Sequence, residues 1–249
     1  MRRLALGLGA VALAAGLAAR ADDPPAGFVA LFNGRDLAGW KVPPGDNGHW
    51  KVVHGVIDYD ARSESPERDK SMFSYRSFKD FILKVDWRLK TEEKGYDNPN
   101  VKQILPDGSH KKGPDGKDAN ITLEDVDSGV YLRGSSKAQV NIWMWPVGSG
   151  EVYGYRTDRS MPAAVRAAVT PKKKADRPRG EWNAFEITVR GDRLWVKLNG
   201  EEVIRDAELP GLPPEGPVAL QHHGGMKDGQ WTGPPSLVQF RNISVKELK

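Results

Sequence analysis

From residue 28 onward, apolar and polar side chains alternate in short runs separated by turn residues, the period expected of strands with one buried face. Residues 81–89 show it most clearly. Phe81, Leu83, Val85, Trp87 and Leu89 fall on one side, and Asp80, Lys84, Asp86 and Arg88 on the other, with Ile82 as the exception. Residues 28–32, 50–53 and 72–75 read the same way. In the C-terminal third, Phe185, Ile187 and Val189 alternate with polar residues, Gly191-Asp192 turns the chain, and Leu194, Val196 and Leu198 alternate again. Asn199-Gly200 is a strong type I′ hairpin signal leading into Val203 and Ile204. Residues 218–221 and 237–245 supply two further strands. Residues 161–169, with Pro162 at the first helical position, predict the one short helix. Many strands and almost no helix predict an all-β sandwich or jelly roll in one domain over residues 28–249, with 22–27 as a linker.

Composition narrows the class. The chain has 249 residues, 39% hydrophobic and 28% charged, with 27 glycines and 18 prolines. That is enough to bury a core unaided, and the turn residues suit many short strands. It contains no cysteine, which excludes a thiol nucleophile, a Cys-ligated metal and a lipid-modified N-terminal cysteine. Arg2 and Arg3 precede an Ala/Leu/Gly-rich run over residues 4–19 and the small-x-small triplet Ala19-Arg20-Ala21. This is the pattern of a secretory signal peptide over residues 1–21, and its apolar run is short of the roughly 20 residues that span a bilayer. The expected location is therefore periplasmic or extracellular, with no membrane anchor after cleavage. Cleavage would remove three arginines and no acid, lowering the formal charge from +4 to +1.

Two stretches interrupt the alternation. Residues 92–126 are polar and turn-rich, and residues 156–180 carry eight bases, including Lys172-Lys173-Lys174, against Asp158 and Asp176. Few aromatics interleave with these bases, so the segment reads as a solvated loop and nucleic acid is not an expected partner. No Walker loop, dinucleotide glycine fingerprint, HExxH or GxSxG elbow occurs, and no cofactor is expected. Glu124, Asp125 and Asp127 could hold a divalent cation or, alternatively, cap loops.

Candidate chemistry is concentrated between residues 127 and 155. A strand over 139–145 would place Gln139, Asn141, Trp143 and Trp145 on one face, where amides fix sugar hydroxyls and indoles cover the apolar side of the ring. In the alternative, the tryptophans are core and the amides are edge partners. Tyr131, Arg133, Asp127 and Tyr153 are further candidate contacts. Glu151, His222 and His223 are the candidate acid–base groups. Neighbours on a strand face opposite sides, so at most one of the two histidines enters a given cleft.

These residues carry a resemblance. The segment Phe32-Asn33-Gly34-Arg35-Asp36-Leu37-Ala38-Gly39-Trp40 is similar to the opening "LFNGkDLsGW" of the DUF1080, or 3-keto-disaccharide hydrolase domain, family. Trp50 with Gly55-Val56-Ile57, residues 81–87, residues 127–133, Gly180-Glu181-Trp182-Asn183 and Leu198-Asn199-Gly200 follow in family order. The resemblance implies a concanavalin A-like (LamG-like) jelly roll of two antiparallel sheets. It also implies hydrolase or lyase/hydratase action on 3-keto-glycosides, with a sugar 3-dehydrogenase supplying the substrate. In that reading Arg133 and His222 polarise the ketone or enolate, Glu151 or His223 is the base, and Gln139, Asn141, Trp143 and Tyr153 position the sugar. The chain departs from the family pattern at Gln139 and Asn141, which stand in its "E-x-Q-i" segment, and at Asp127, which replaces an Asn. A noncatalytic, lectin-like glycan-binding module on the same fold is the alternative.

Overall fold

The computed structural model describes residues 23–249, and the signal-peptide reading of residues 1–21 lies outside the described residues. The first strands are β1 (Val29–Ala30), β2 (Trp40–Lys41), β3 (Lys51–Val53), β4 (Val56–Asp60), β5 (Met72–Phe78) and β6 (Phe81–Leu89). A hairpin of β7 (Tyr96–Lys102) and β8 (Asn120–Asp125) precedes β9 (Asp127–Leu132) and β10 (Ser135–Trp143). Two short helices, α1 (Tyr153–Arg156) and α2 (Ala163–Ala168), lead to β11 (Asn183–Arg190), β12 (Arg193–Leu198), β13 (Glu201–Glu208) and β14 (Gly216–Leu220). A small hairpin, β15 (Met226–Lys227) and β16 (Gln230–Trp231), precedes β17 (Leu237–Glu247).

The strands form a jelly roll of two antiparallel sheets. One runs β13-β12-β11-β6-β17-β4-β3, with β1 also paired to β17, and the other runs β10-β9-β14-β5-β2. Alternation explains the core: in β6 the five odd positions from Phe81 to Leu89 are buried and the even ones half-buried. They pack with Phe185, Ile187, Leu194, Val196 and Phe240 of the large sheet and with Val130, Leu132, Val140, Ile142, Val218 and Leu220 of the small one. Each such side chain removed from water is worth roughly 1.5–3 kcal/mol. The intervening residues of β9 and β10 therefore face away from the core, and that outer face carries the polar chemistry.

Three expectations are corrected. The strand expected over 139–145 starts earlier and ends at Trp143, because residues 145–148 turn, with Gly148, itself at φ 88°, donating its N–H to the Trp145 carbonyl (3.0 Å). The polar excursion 92–126 contains the β7–β8 ladder, from Tyr96↔Asp125 to Lys102↔Asn120, whose sequence, YDNPNVK in β7, hides its strand under Asn and Pro. The basic segment 156–180 is stapled to the body instead of solvated throughout. Arg156 pairs with Glu151, Lys173 with Glu201 and Arg179 with Glu124, and Lys172 donates to the Pro106 and Ala167 carbonyls. The helix expected over 161–169 is present as α2, with Pro162 as its N-cap.

Candidate functional site

Register dictates which side chains meet on the outer face of the small sheet. Opposite partners across the β9–β10 ladder share a face, and the pairs are Asp127↔Trp143, Gly129↔Asn141 and Tyr131↔Gln139. Gly129 is required here: a Cβ at this position would lie 2.6 Å from Gln139 Nε2, so only a glycine lets the amide cross the sheet. β14 continues the face beyond its end. Gln221, whose N–H donates to the Gly129 carbonyl, and His223 lie outside, whereas His222 turns between the sheets.

These residues line a cleft of about 350 Å³. Its floor is an amide cluster, in which Gln139 Nε2 donates to Asn141 Oδ1 and to Gln221 Oε1, both at 2.7 Å. With those oxygens occupied, the Asn141 amide N–H groups and the Gln139 carbonyl are left for a ligand. Trp143 and Trp145 stack at 4.4 Å and 2°, and Tyr153 meets Trp143 edge-on at 6.2 Å. Trp145 stays on the face although the strand has ended, because its indole N–H donates to Asp125 Oδ2 (2.8 Å). Asn98 of β7 donates to the same oxygen, so the excursion hairpin supplies one wall, and Pro234, beyond β16, supplies another.

The carboxyl and imidazole groups of the cleft are those of Asp125, Asp127 and His223. Asp125 Oδ1 and Asp127 Oδ1 are both buried with no hydrogen-bond partner among the described residues. Burial pushes the Asp127 carboxyl up to about 7, opposed by nearby His223 and reinforced by the Asp125 charge. Asp125 is raised as well, again chiefly by burial. His223 Nδ1 lies 2.6 Å from the Pro234 carbonyl, which can only accept, so Nδ1 carries a proton and the neutral ring has its lone pair on Nε2. An imidazole nitrogen, two carboxyls each with an unpartnered oxygen, amide donors and an aromatic wall are what proton transfer on a hydroxylated ring requires.

Of the sequence candidates, Gln139, Asn141, Trp143, Trp145, Tyr153, Asp125, Asp127 and His223 come together in this cleft. Arg133 does not. It sits six residues along the chain from Asp127, about 20 Å at strand rise, at φ 48°, and donates to the carbonyls of Lys79, Gly191 and Pro213 and to Asp80. His222 is spent on Tyr59, whose hydroxyl lies 2.6 Å from its Nδ1, and burial lowers the imidazole to about 4. Glu151 lies behind the cleft, fully buried against Arg156, with burial pushing it up to about 7. Tyr131 shares the face but packs against Phe73 outside the cleft. Glu124 turns away to accept from the Gly95 N–H and Arg179, and among the described residues no three His, Asp or Glu are grouped to hold a metal ion. Gln221 and Asn98 were missed. Period two along 218–223 pointed to Gln221 together with His223, while Asn98 had no signal in a Pro-broken strand.

Comparison with known proteins agrees with this architecture. Two solved structures from Parabacteroides distasonis, each described as a "putative glycosyl hydrolase", share the fold. One is 18% identical with a TM-score of 0.54, covering 90% of this chain and 95% of that one. The other is 19% identical with a TM-score of 0.55, covering 90% and 84%. No curated protein matches. Residues 27–246 match the family described as the 3-keto-alpha-glucoside-1,2-lyase-like domain, and the chain belongs to that family.

Proposed function

We propose that this protein is an exported lyase/hydratase that cleaves 3-keto-glycosides in the cleft on the outer face of the small sheet. The observation that carries the reading is His223, held by the Pro234 carbonyl in the tautomer that puts the neutral ring's lone pair on Nε2, in a cleft with two carboxyls that each keep an unpartnered oxygen. A ketone at C3 acidifies the hydrogen on C2. His223 Nε2 takes that proton, and the electron pair passes to the ketone oxygen, where the Asn141 amide N–H groups stabilise the enolate. Collapse of the enolate expels the glycosidic oxygen from C1, and Asp127, protonated because burial raises it to about 7, gives that oxygen its proton. Water then adds at C1 and a proton returns to C2, so the two steps sum to hydrolysis. Trp143, Trp145 and Tyr153 hold the ring.

This assignment replaces Arg133 and His222 as ketone-polarising groups by Asn141 and, of the two candidate bases Glu151 and His223, takes His223. The purified protein incubated with a 3-keto-disaccharide should release reducing sugar, and His223→Ala should lower the rate by at least ~10²-fold, the usual worth of a positioned base. Binding of the disaccharide without turnover would overturn the reading and leave a glycan-binding module.

A further inference from the structure

A second cavity, of about 270 Å³, adjoins the cleft across Trp143 and is not used in the chemistry above. Its walls are apolar where Trp87, Trp143 and Met144 line it, and its rim comes from the basic segment before β11. Arg179 there is neutralised by Glu124. Lys174 and Arg177 are different: both are exposed, and neither has an ion-pair partner among the described residues, although Arg177 donates to the Trp182 carbonyl (3.1 Å). The carboxylate on the rim, Asp176, is occupied by the Ser149 N–H, which approaches both of its oxygens at 3.1 Å. Trp87 also keeps a buried indole N–H with no partner.

The cavity thus pairs apolar walls with two cationic side chains that have no ion-pair partner among the described residues beside the single carboxylate of Asp176, while the neighbouring cleft has carboxyls and no Lys or Arg in its lining. We infer that it binds a ring bearing a carboxylate, with the ring in the apolar part of the cavity beside Met144 and Leu89 and the carboxylate on Lys174 and Arg177. Guanidinium and ammonium donors hold carboxylates through charge-assisted hydrogen bonds, and an apolar cavity of this size takes the ring of either a pyranose or an arene. Two sources share this chemistry, an acidic sugar and an aromatic acid. The inference does not depend on the cleft being catalytic.

Calorimetric titration with glucuronate and with 4-hydroxybenzoate, against glucose and phenol as neutral counterparts, tests it. At least one acid should bind about tenfold more tightly than its neutral counterpart, the worth of one charge-assisted contact, and weaken as salt rises. Which acid it is distinguishes the two sources. The doubly substituted Lys174→Ala, Arg177→Ala protein should lose that preference, and Asp127→Asn should keep it. Both substituted side chains are exposed, so an unchanged melting temperature will show the fold intact. Equal binding of acids and neutrals, binding of neither acid, or loss through Asp127→Asn with none through the double substitution would overturn the proposal.

Discussion

At the residue scale, the protonation of Asp127 links stability to function. Burial holds its carboxyl at about 7, above the ordinary value of 3.8, so between those values the folded chain binds the proton that the unfolded chain has released. Stability contributed by this group is therefore present at low pH and lost as pH rises from about 4 through about 7. Asp127→Asn removes the titration: its melting temperature should match the parent near pH 4 and exceed it by a few degrees at pH 8, while cleavage is lost at both. A constant difference across pH, followed by scanning calorimetry, would contradict the assigned burial. The histidines show what was legible at this scale. Period two allowed one of His222 and His223 to enter the cleft, but choosing between them needed Tyr59, which is 163 residues away in sequence.

At the scale of elements, the cleft is a sheet face with one wall from the β7–β8 hairpin and another from Pro234, after β16, and only the face was legible. The amide and tryptophan positions of β10 follow from alternation. The β7–β8 wall does not, because Asn98-Pro99-Asn100 interrupts the apolar pattern and its pairing is non-local. The β15–β16 hairpin is held across the rim by Trp231, whose indole N–H donates to the Lys94 carbonyl (3.2 Å) while Arg62, paired with Glu93, covers its ring at 5.0 Å. This hairpin positions Pro234, and Pro234 fixes the His223 tautomer. Trp231→Ala should speed amide hydrogen exchange over residues 226–236 and lower the cleavage rate about tenfold, with the core amides unchanged. Faster exchange there with undiminished cleavage would show that the hairpin does not hold the histidine.

At the scale of the whole molecule, jelly-roll architecture and core were legible because alternation and turn chemistry agree along most of the chain. The role of Arg133 was not. It follows β9 directly and looked like a cleft residue, but its positive φ turns it into a buried clamp joining the loop before β6, the β11–β12 turn and the loop before β14. Removing a buried guanidinium with four such contacts should cost about 3 kcal/mol. Arg133→Ala should therefore melt roughly 6–12 °C lower with sugar affinity in the folded protein unchanged, and loss of affinity at full stability would return Arg133 to the site. The basic segment 156–180 was legible only as a charge run: Arg156, Lys172, Lys173 and Arg179 act as struts between loops, while Lys174 and Arg177 stay without an ion-pair partner among the described residues.

The central claim is that His223 removes the proton from C2 of a 3-keto sugar. Deuterium incorporation at C2, followed by NMR in D2O with the 3-keto-disaccharide, tests it most directly. Asp127→Asn should still exchange this position while failing to cleave, and His223→Ala should do neither. Exchange at the parent rate in His223→Ala would contradict the account.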